Sequence, residues 1–184
     1  WNRRLAAHLC RRAGFGATSR ELNDLVKQSP AEIAHAFVEN AKQASQRDPE
    51  TDSLATAMLA TGNSQNLAAW WLHRMLNSPW SGGEAASTSP LLEKLTLFWH
   101  GHFATGAEKV DDAEMMFTQN QLLRHHALGN FGAMTQEISR DPAMLIYLDS
   151  TTNRKAHPNE NYAREVMELF CLGEGNYTEG DIQE

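Results

Sequence analysis

Residues 89–103 read SPLLEKLTLFWHGHF, and this stretch carries the helical pattern that recurs along the chain. Ser89 and Pro90 are typical of a helix start, because serine caps the first turn and proline is tolerated at the first helical position. Apolar side chains then return every three or four residues, at Leu91, Leu92, Leu95, Phe98 and Trp99. Other periodic segments share this period, and no segment alternates convincingly as a strand does. We therefore predict an all-α fold, an irregular multi-helix bundle.

Length and composition indicate one globular domain. The chain has 184 residues, of which 41% are hydrophobic, which is enough for a core of useful size. Residues 45–52 (SQRDPETD) and 81–89 (SGGEAASTS) lack helical periodicity and are predicted to be internal loops. Residues 177–184 look like the start of another helix. We therefore predict a single helical domain over residues 1–184, which we expect to be a fragment of a larger helical domain.

Charge and cysteine content limit the classes of function. The net charge of -7 argues against nucleic-acid binding, because binding phosphates needs a basic surface. No apolar run approaches the roughly 18 residues that a transmembrane helix requires. Cys10 and Cys171 each fall in a predicted helix, where they either pair as a disulfide or remain two buried thiols, the commoner state. Neither has a Cys-x-x-Cys neighbour, so no thiolate metal site is predicted.

His100 and His102 flank Gly101 near the end of the helix described above. On a continuous helix, residues two apart point about 200° apart, so the two imidazoles could not bind one metal ion. Glycine disfavours a helix, so the helix could instead end near Trp99 and let the pair converge in extended backbone. The histidines are therefore either a metal-binding or catalytic pair, or structural residues, with His102 hydrogen-bonded inside the core.

Residues 158–170 (PNENYAREVMELF) concentrate polar groups in one short predicted helix that begins at Asn159. Glu165 lies at the edge of its apolar stripe, and a half-buried carboxylate needs a partner because burial penalises its charged form. Glu165 is therefore the best candidate on this helix for a functional carboxylate. The same flank carries Asn161 and Glu168, whose oxygens suit a hard divalent cation, whereas added imidazoles would suit zinc or iron.

Two further interpretations concern the same region. Glu160, Arg164 and Glu168 recur every four residues, a spacing that favours an exposed ladder of salt bridges. His157 lies in the loop just before the helix and is a candidate third metal ligand.

Motifs along nearly the whole chain, in order, resemble those of the bacterial "domain of unknown function 1800" family. They lie at residues 11–18 (RRAGFGAT), 93–103 (EKLTLFWHGHF), 119–131 (QNQLLRHHALGNF), 141–149 (DPAMLIYLD) and 158–170. The resemblance implies the N-terminal part of a longer bacterial domain that is exported to the periplasm or cell envelope. It also implies a partner, since genes of this family often neighbour a second uncharacterised family that carries a twin-arginine signal. It implies no settled activity.

The resemblance also selects polar residues that lie within its motifs. Besides the two histidines and Glu165, the predicted polar network consists of Asn120, Arg124, His126, Asp149, Asn159, Glu160, Asn161, Arg164 and Glu168.

Two functions remain open from the sequence. The first is a non-catalytic envelope scaffold or binding module, in which a buried His/Glu/Arg network fixes the fold. The alternative is a metal-dependent or acid/base enzyme, with its site where the His100-Gly101-His102 turn meets the Glu165 helix. In that case His100 and Glu165 would be catalytic, and a divalent metal would be held by His100, His102 and Glu165.

Overall fold

The computed structural model describes residues 1–47, 52–80, 88–155 and 159–183. Within these ranges the regular structure is helical and no strand occurs, so the all-α prediction is confirmed. The two predicted internal loops fall mostly on residues 48–51 and 81–87, which lie outside the described residues. His157 and Pro158 lie outside them as well.

The helices follow one another along the chain with short connections. In order they are α1 (Arg3–Ala13), α2 (Ser19–Leu25), α3 (Pro30–Ser45), α4 (Ser53–Leu59), α5 (Ser64–Asn77), α6 (Pro90–His102), α7 (Ala107–Val110), α8 (Ala113–His126), α9 (Phe131–Ile138), α10 (Pro142–Tyr147), α11 (Asn161–Glu165) and α12 (Glu179–Gln183). A 3-10 turn at Ser150–Thr152 follows α10, and a π-helix at Val166–Cys171 continues α11 without a break.

Side-chain caps fix where most of these helices begin. Ser29 and Ser89 accept hydrogen bonds from backbone amides in the first turns of α3 and α6, and each is followed by a proline. Thr18 and Asn63 cap α2 and α5 in the same way. Each cap satisfies an amide that has no partner inside the helix, which stabilises the helix start by about 1 kcal/mol.

The centre of the bundle is formed by α6 and α8. α6 packs against α3, α5 and α8, and α8 also contacts α9 and α10. Leu92 of α6 and Leu123 of α8 are both fully buried in the resulting core. A further apolar cluster joins α1, α2 and α3 around Trp80. Glu93 of α6 and Arg124 of α8 are therefore buried in an interior from which water is excluded.

The segment predicted as one α-helix from Asn159 onward has two parts. The α-helix begins at Asn161, and after Glu165 the backbone changes to a π-helix, in which the Leu172 amide donates to the Met167 carbonyl five residues back at 2.9 Å. A π-turn accommodates more residues per turn, so side chains after it lie on a different face than α-periodicity predicts. Phe170 is thereby buried among residues of α6, α8, α9 and α10.

Both cysteines are free thiols. Cys10 is buried in α1, as expected, but Cys171 at the end of the π-helix is exposed, so the expectation of two buried thiols is wrong for Cys171. In the described part of the chain, none of the helices is long and apolar enough to cross a membrane.

Candidate functional site

Glu93, in the first turn of α6, is fully buried and pairs with Arg124 of α8. Arg124 donates from Nη2 to Glu93 Oε2 at 2.7 Å and from Nε to Oε1 at 3.3 Å. Trp71 of α5 donates from Nε1 to the same Oε2 at 2.9 Å, and the Thr88 hydroxyl donates to Oε1. The Glu93 carboxylate therefore accepts hydrogen bonds from α5, from α8 and from the segment that precedes α6.

Arg74 of α5 connects this pair to a second carboxylate. It donates from Nε to Glu93 Oε1 at 3.2 Å and from Nη1 to Asp52 Oδ2 at 2.6 Å. The Trp70 indole donates to the same Asp52 oxygen at 2.9 Å. The guanidinium carbons of Arg74 and Arg124 each lie 5.4 Å from the centroid of a Trp70 ring. We call Asp52, Arg74, Glu93 and Arg124 the buried ion cluster.

The charges of this cluster compensate one another. Burial would raise the pKa of the Glu93 carboxyl, but the charge and hydrogen bonds of Arg124, with the charge of Arg74, hold that pKa below its ordinary value. Burial likewise opposes ionisation of Asp52, but hydrogen bonds from the Ala55 amide, Trp70 and Arg74 hold its pKa low. Across the described residues, no buried side-chain nitrogen or oxygen of this cluster lacks a partner. Paired charges of this kind favour one arrangement of the helices that carry them.

Two further polar residues of α8 lie beside the cluster. Asn120 Oδ1 accepts from Arg124 Nη1 at 2.6 Å, so the structure places these two predicted network residues together. Gln119 donates from Nε2 to Asp141 Oδ2 at 2.8 Å, and the same oxygen accepts from the Met144 amide as the cap of α10. Burial raises the pKa of Asp141. Gln119 Oε1 and Asp141 Oδ1 are both buried without a hydrogen-bond partner.

His100 and His102 point in different directions because α6 continues through His102. The Phe103 amide donates to the Trp99 carbonyl at 2.8 Å, so the alternative in which the helix ends near Trp99 is wrong. His100 packs edge-on against Trp71, with ring centroids 5.3 Å apart, and its burial lowers its pKa. A continuous helix keeps the two imidazoles on different faces.

His102 joins the end of α6 to the end of the π-helix. Its Nε2 lies 2.9 Å from the carbonyl oxygen of Phe170. Because a carbonyl oxygen can only accept, Nε2 must carry the proton, which leaves Nδ1 as the acceptor of the neutral ring. The Phe170 carbonyl belongs to the last turn of its helix, where carbonyls have no partner within the helix. His102 therefore acts as a cap supplied by another element.

A groove of about 610 Å³ lies between the end of α6 and the π-helix, and we call it the His102–Glu165 groove. Its lining consists of Gly101, His102, Ala104, Lys109, Tyr147, Leu148, Glu165, Leu169 and Phe170. The volume falls in the range of ligand sites, and the lining combines ionisable with apolar side chains. His102 and Glu165 both lie in the lining of this groove, whereas His100 does not.

A second cavity of about 410 Å³ lies between α2 and α3. Phe37 and Trp80 supply its apolar side, and Arg20 and Asp24 lie among its polar residues. None of the residues selected from the sequence lines this cavity, so the His102–Glu165 groove remains the candidate site.

Asn159, Asn161 and Asp149 organise the backbone beside the groove. Asn159 donates from Nδ2 to the Asp149 carbonyl at 2.8 Å, and Asn161 donates to the Leu148 carbonyl at 3.2 Å. Asp149 adopts a left-handed backbone with φ +58° and accepts from Lys109 Nζ at 2.9 Å. Because Leu148 and Lys109 line the groove, these three residues support its wall.

Glu160, Arg164 and Glu168 form only part of the predicted ladder. Arg164 donates from both terminal nitrogens to Glu179, each at 2.9 Å, and lies 4.0 Å from Glu160. Glu168 instead accepts from the Tyr177 hydroxyl at 2.7 Å. The change to a π-helix after Glu165 removes the α-helical spacing on which the ladder depends.

His126 lies at the end of α8, away from the ion cluster and the groove lining. Its Nε2 is 3.1 Å from Glu137 Oε2, but the geometry does not meet that of a hydrogen bond. The contact is therefore an ion pair only when the imidazole is protonated.

The predicted metal centre is not assembled in the part of the chain that the structure describes. No group of three or more His, Cys, Asp and Glu side chains within it is placed to hold a metal ion. His102 and Glu165 share the groove, whereas His100 packs on Trp71. The candidate ligand His157 lies outside the described residues.

Sequence reasoning missed Glu93, Arg74 and Asp52 as members of a network. A signal was present for Glu93, which stands between Leu92 and Leu95 on a predicted amphipathic helix. A carboxylate on such a face requires a cation, and Arg124 was already among the selected residues. The missing information was which cation reaches it, because its partners lie 19 and 31 residues away.

A comparison with known proteins identifies the family to which this chain belongs. A family model described as "Protein of unknown function (DUF1800)" matches residues 8–184. No curated protein and no solved structure matches the chain. The matched range contains all the motifs described above, the Glu93–Arg124 pair and the whole His102–Glu165 groove. The chain therefore belongs to the DUF1800 family.

Proposed function

We propose that this chain is a non-catalytic binding module of the bacterial cell envelope. In this proposal the buried ion cluster fixes the helical scaffold, and the His102–Glu165 groove receives a partner. One observation carries it: Glu93 and Arg124, polar residues within the family motifs, are sealed from solvent and paired with each other. Such residues stabilise one arrangement of helices and cannot touch a substrate. Export to the envelope rests on the family resemblance.

The groove supports the binding part of the proposal. Its walls present Leu169 and Leu148 beside Lys109 and Glu165, so an occupant could bury apolar surface and pair charges of both signs. Leu169 is 62% exposed, so it offers apolar surface in the groove that a partner could bury. The partner we propose is the co-encoded, exported protein of the second uncharacterised family.

The test is calorimetric titration of the purified protein with that co-encoded protein. Leu169→Glu places a charge in the groove and should weaken binding at least tenfold. The matched control is Leu76→Glu, since Leu76 is 69% exposed and lies at the end of α5, outside the groove. Equal affinities for the two variants, or no binding by the unmodified protein, would contradict the proposal.

One observation favours a second candidate, an acid/base or metal-dependent enzyme. His102 and Glu165 line the same groove, and a neutral His102 whose Nε2 donates to Phe170 keeps Nδ1 as a base. Metal analysis by mass spectrometry separates the two candidates. Stoichiometric metal that is lost in the His100→Ala/His102→Ala variant would favour the enzyme. A metal-free protein whose variant folds poorly would favour the binding module.

A further inference from the structure

The first 20 residues carry a charge opposite to that of the whole protein. They contain five of the 16 Lys and Arg residues and none of the 23 Asp and Glu residues. The chain as a whole has a net charge of -7. This positive charge is concentrated on α1 and plays no part in the buried ion cluster or the His102–Glu165 groove.

The helix geometry of α1 gathers these cations on one face. Ala6 and Cys10 are fully buried against α2 and α3. With 100° between successive residues, the basic side chains fall within an arc of about 100° on the opposite side. They are Arg4, His8, Arg11 and Arg12, all exposed. We call these four residues the α1 basic strip.

The basic strip reaches both ends of the helix that carries it. Arg4 lies in the first turn, where the helix dipole disfavours positive charge and which has no acidic residue, whereas Arg11 and Arg12 lie in the last turn, where the dipole favours it. Within the described residues, Arg4 and Arg12 make no ion pair or hydrogen bond. Arginines that are exposed on one helix face, two of them without internal partners, favour an anionic partner outside the chain.

Apolar groups beside the strip identify the kind of anionic surface. Leu5 is 49% exposed and Trp1 is 41% exposed. Arginine next to exposed leucine and tryptophan is typical of surfaces that lie at the headgroup level of a membrane. Since the apolar face of α1 is occupied by the protein core, contact would be peripheral, through lipid phosphates.

We propose that the α1 basic strip docks this protein on an anionic phospholipid surface. Screening confines electrostatic interactions to about 10 Å at moderate salt, so the strip acts chiefly on the surface that it directly faces. Each arginine near an anionic membrane should strengthen binding about fivefold. This proposal is independent of the groove and of its partner.

The experiment is co-sedimentation of the protein with lipid vesicles at about 0.1 M salt. Vesicles of phosphatidylglycerol and phosphatidylcholine should bind the protein, whereas vesicles of phosphatidylcholine alone should not. The variant Arg4→Gln/Arg11→Gln/Arg12→Gln should bind the anionic vesicles about 100-fold more weakly. The variant Arg4→Lys/Arg11→Lys/Arg12→Lys should retain binding, since it keeps the charge.

A control variant of equal net charge separates the strip from a general charge effect. Arg140, Arg154 and Lys155 are exposed cations beyond α9 and α10, and all three are changed to Gln in the control. The control should bind like the unmodified protein. Equal losses in both triple variants, equal binding to neutral vesicles, or tighter binding to duplex DNA than to anionic vesicles would each overturn the proposal. Thermal unfolding of both variants checks that each is folded.

Discussion

Arg124 Nη2 lies 2.7 Å from Glu93 Oε2, and this buried ion pair joins α8 to α6 at the centre of the bundle. Neither side chain is more than 5% exposed. Two opposite charges in such a place are tolerable together, whereas loss of Glu93 would leave the Arg124 charge in the interior without its carboxylate. The pair therefore favours one relative position of the two helices over others.

The first prediction concerns this pair. Glu93→Leu should lower the free energy of unfolding by about 3–5 kcal/mol, because it leaves buried Arg124 without its carboxylate, whereas Arg124→Met should cost less because Glu93 keeps Arg74 as a partner. The double variant should lose less than the two single losses combined, since Arg74 retains Asp52 as a partner. Urea denaturation of the four proteins measures the coupling. Additive losses would show that the pair does not act as a unit.

The second prediction concerns two glycines in different surroundings. A Cβ at Gly14 would lie 2.7 Å from Pro90 Cβ and 2.8 Å from Trp80 Cη2, whereas one at Gly101 would meet nothing within 4 Å. Gly14→Ala should therefore destabilise by about 1–3 kcal/mol through overpacking. Gly101→Ala lies inside α6 and should stabilise by about 0.5–1 kcal/mol. Thermal unfolding measures the stability of both variants. A Gly14→Ala variant more stable than the Gly101→Ala variant would contradict the close packing of Gly14 against Pro90 and Trp80.

The third prediction separates the two histidines. His102→Ala removes the donor to the Phe170 carbonyl and should let the π-helix open more often. Hydrogen exchange of the Leu172 amide, which bonds to Met167, should become faster. His100→Ala is the control, because His100 packs on Trp71 instead. Similar acceleration in both variants would mean that His102 has no specific role in holding the π-helix.

The fourth prediction is a loss of stability as the solution becomes acidic. Burial lowers the pKa of His100 from 6.5, so the folded protein favours the neutral imidazole. Its contribution is present above pH 6.5 and is lost as pH falls, because the unfolded chain takes up the proton first. His100→Asn should flatten the stability curve between about pH 7 and pH 5. An NMR titration should place the pKa of His100 below 6.5, and a value above it would contradict this prediction.

The fifth prediction concerns Asp141, whose contribution to stability is lost as the pH rises rather than as it falls. Burial raises the pKa of Asp141 above 3.8, so its contribution to stability is complete below that pH and is lost as pH rises through the folded-state pKa. Asp141→Asn keeps the cap of α10, because the asparagine oxygen can still accept from the first turn. Its amide group also supplies a hydrogen-bond donor at a place where Gln119 Oε1 and Asp141 Oδ1 are buried without a partner. The variant should therefore gain stability relative to the unmodified protein as pH rises. Asp112→Asn, at the cap of α8, is the control and should show no such gain.

The same carboxylates show how far sequence reasoning reaches. Arg124 and Asn120 were selected because they lie in recognisable motifs, and they contact each other because they are four residues apart on one helix. Glu93 lies in a motif too, but its role depends on Arg74 and Arg124, which come from other helices. Local spacing cannot show such contacts. For the groove, the sequence predicts that His102 and Glu165 meet, and the structure places both in one lining.

The sequence by itself determined that the fold is all-α and where several helices begin, because caps and apolar periodicity act within a few residues. Ser89 and Pro90 begin α6 for such local reasons. Tertiary structure alone decided that α6 continues through His102, that a π-helix follows Glu165, and that Glu93 rather than Glu165 is the fully buried carboxylate. These outcomes depend on which distant groups compensate a buried charge or donate to the carbonyls of a helix end, and only packing of the helices brings those groups together.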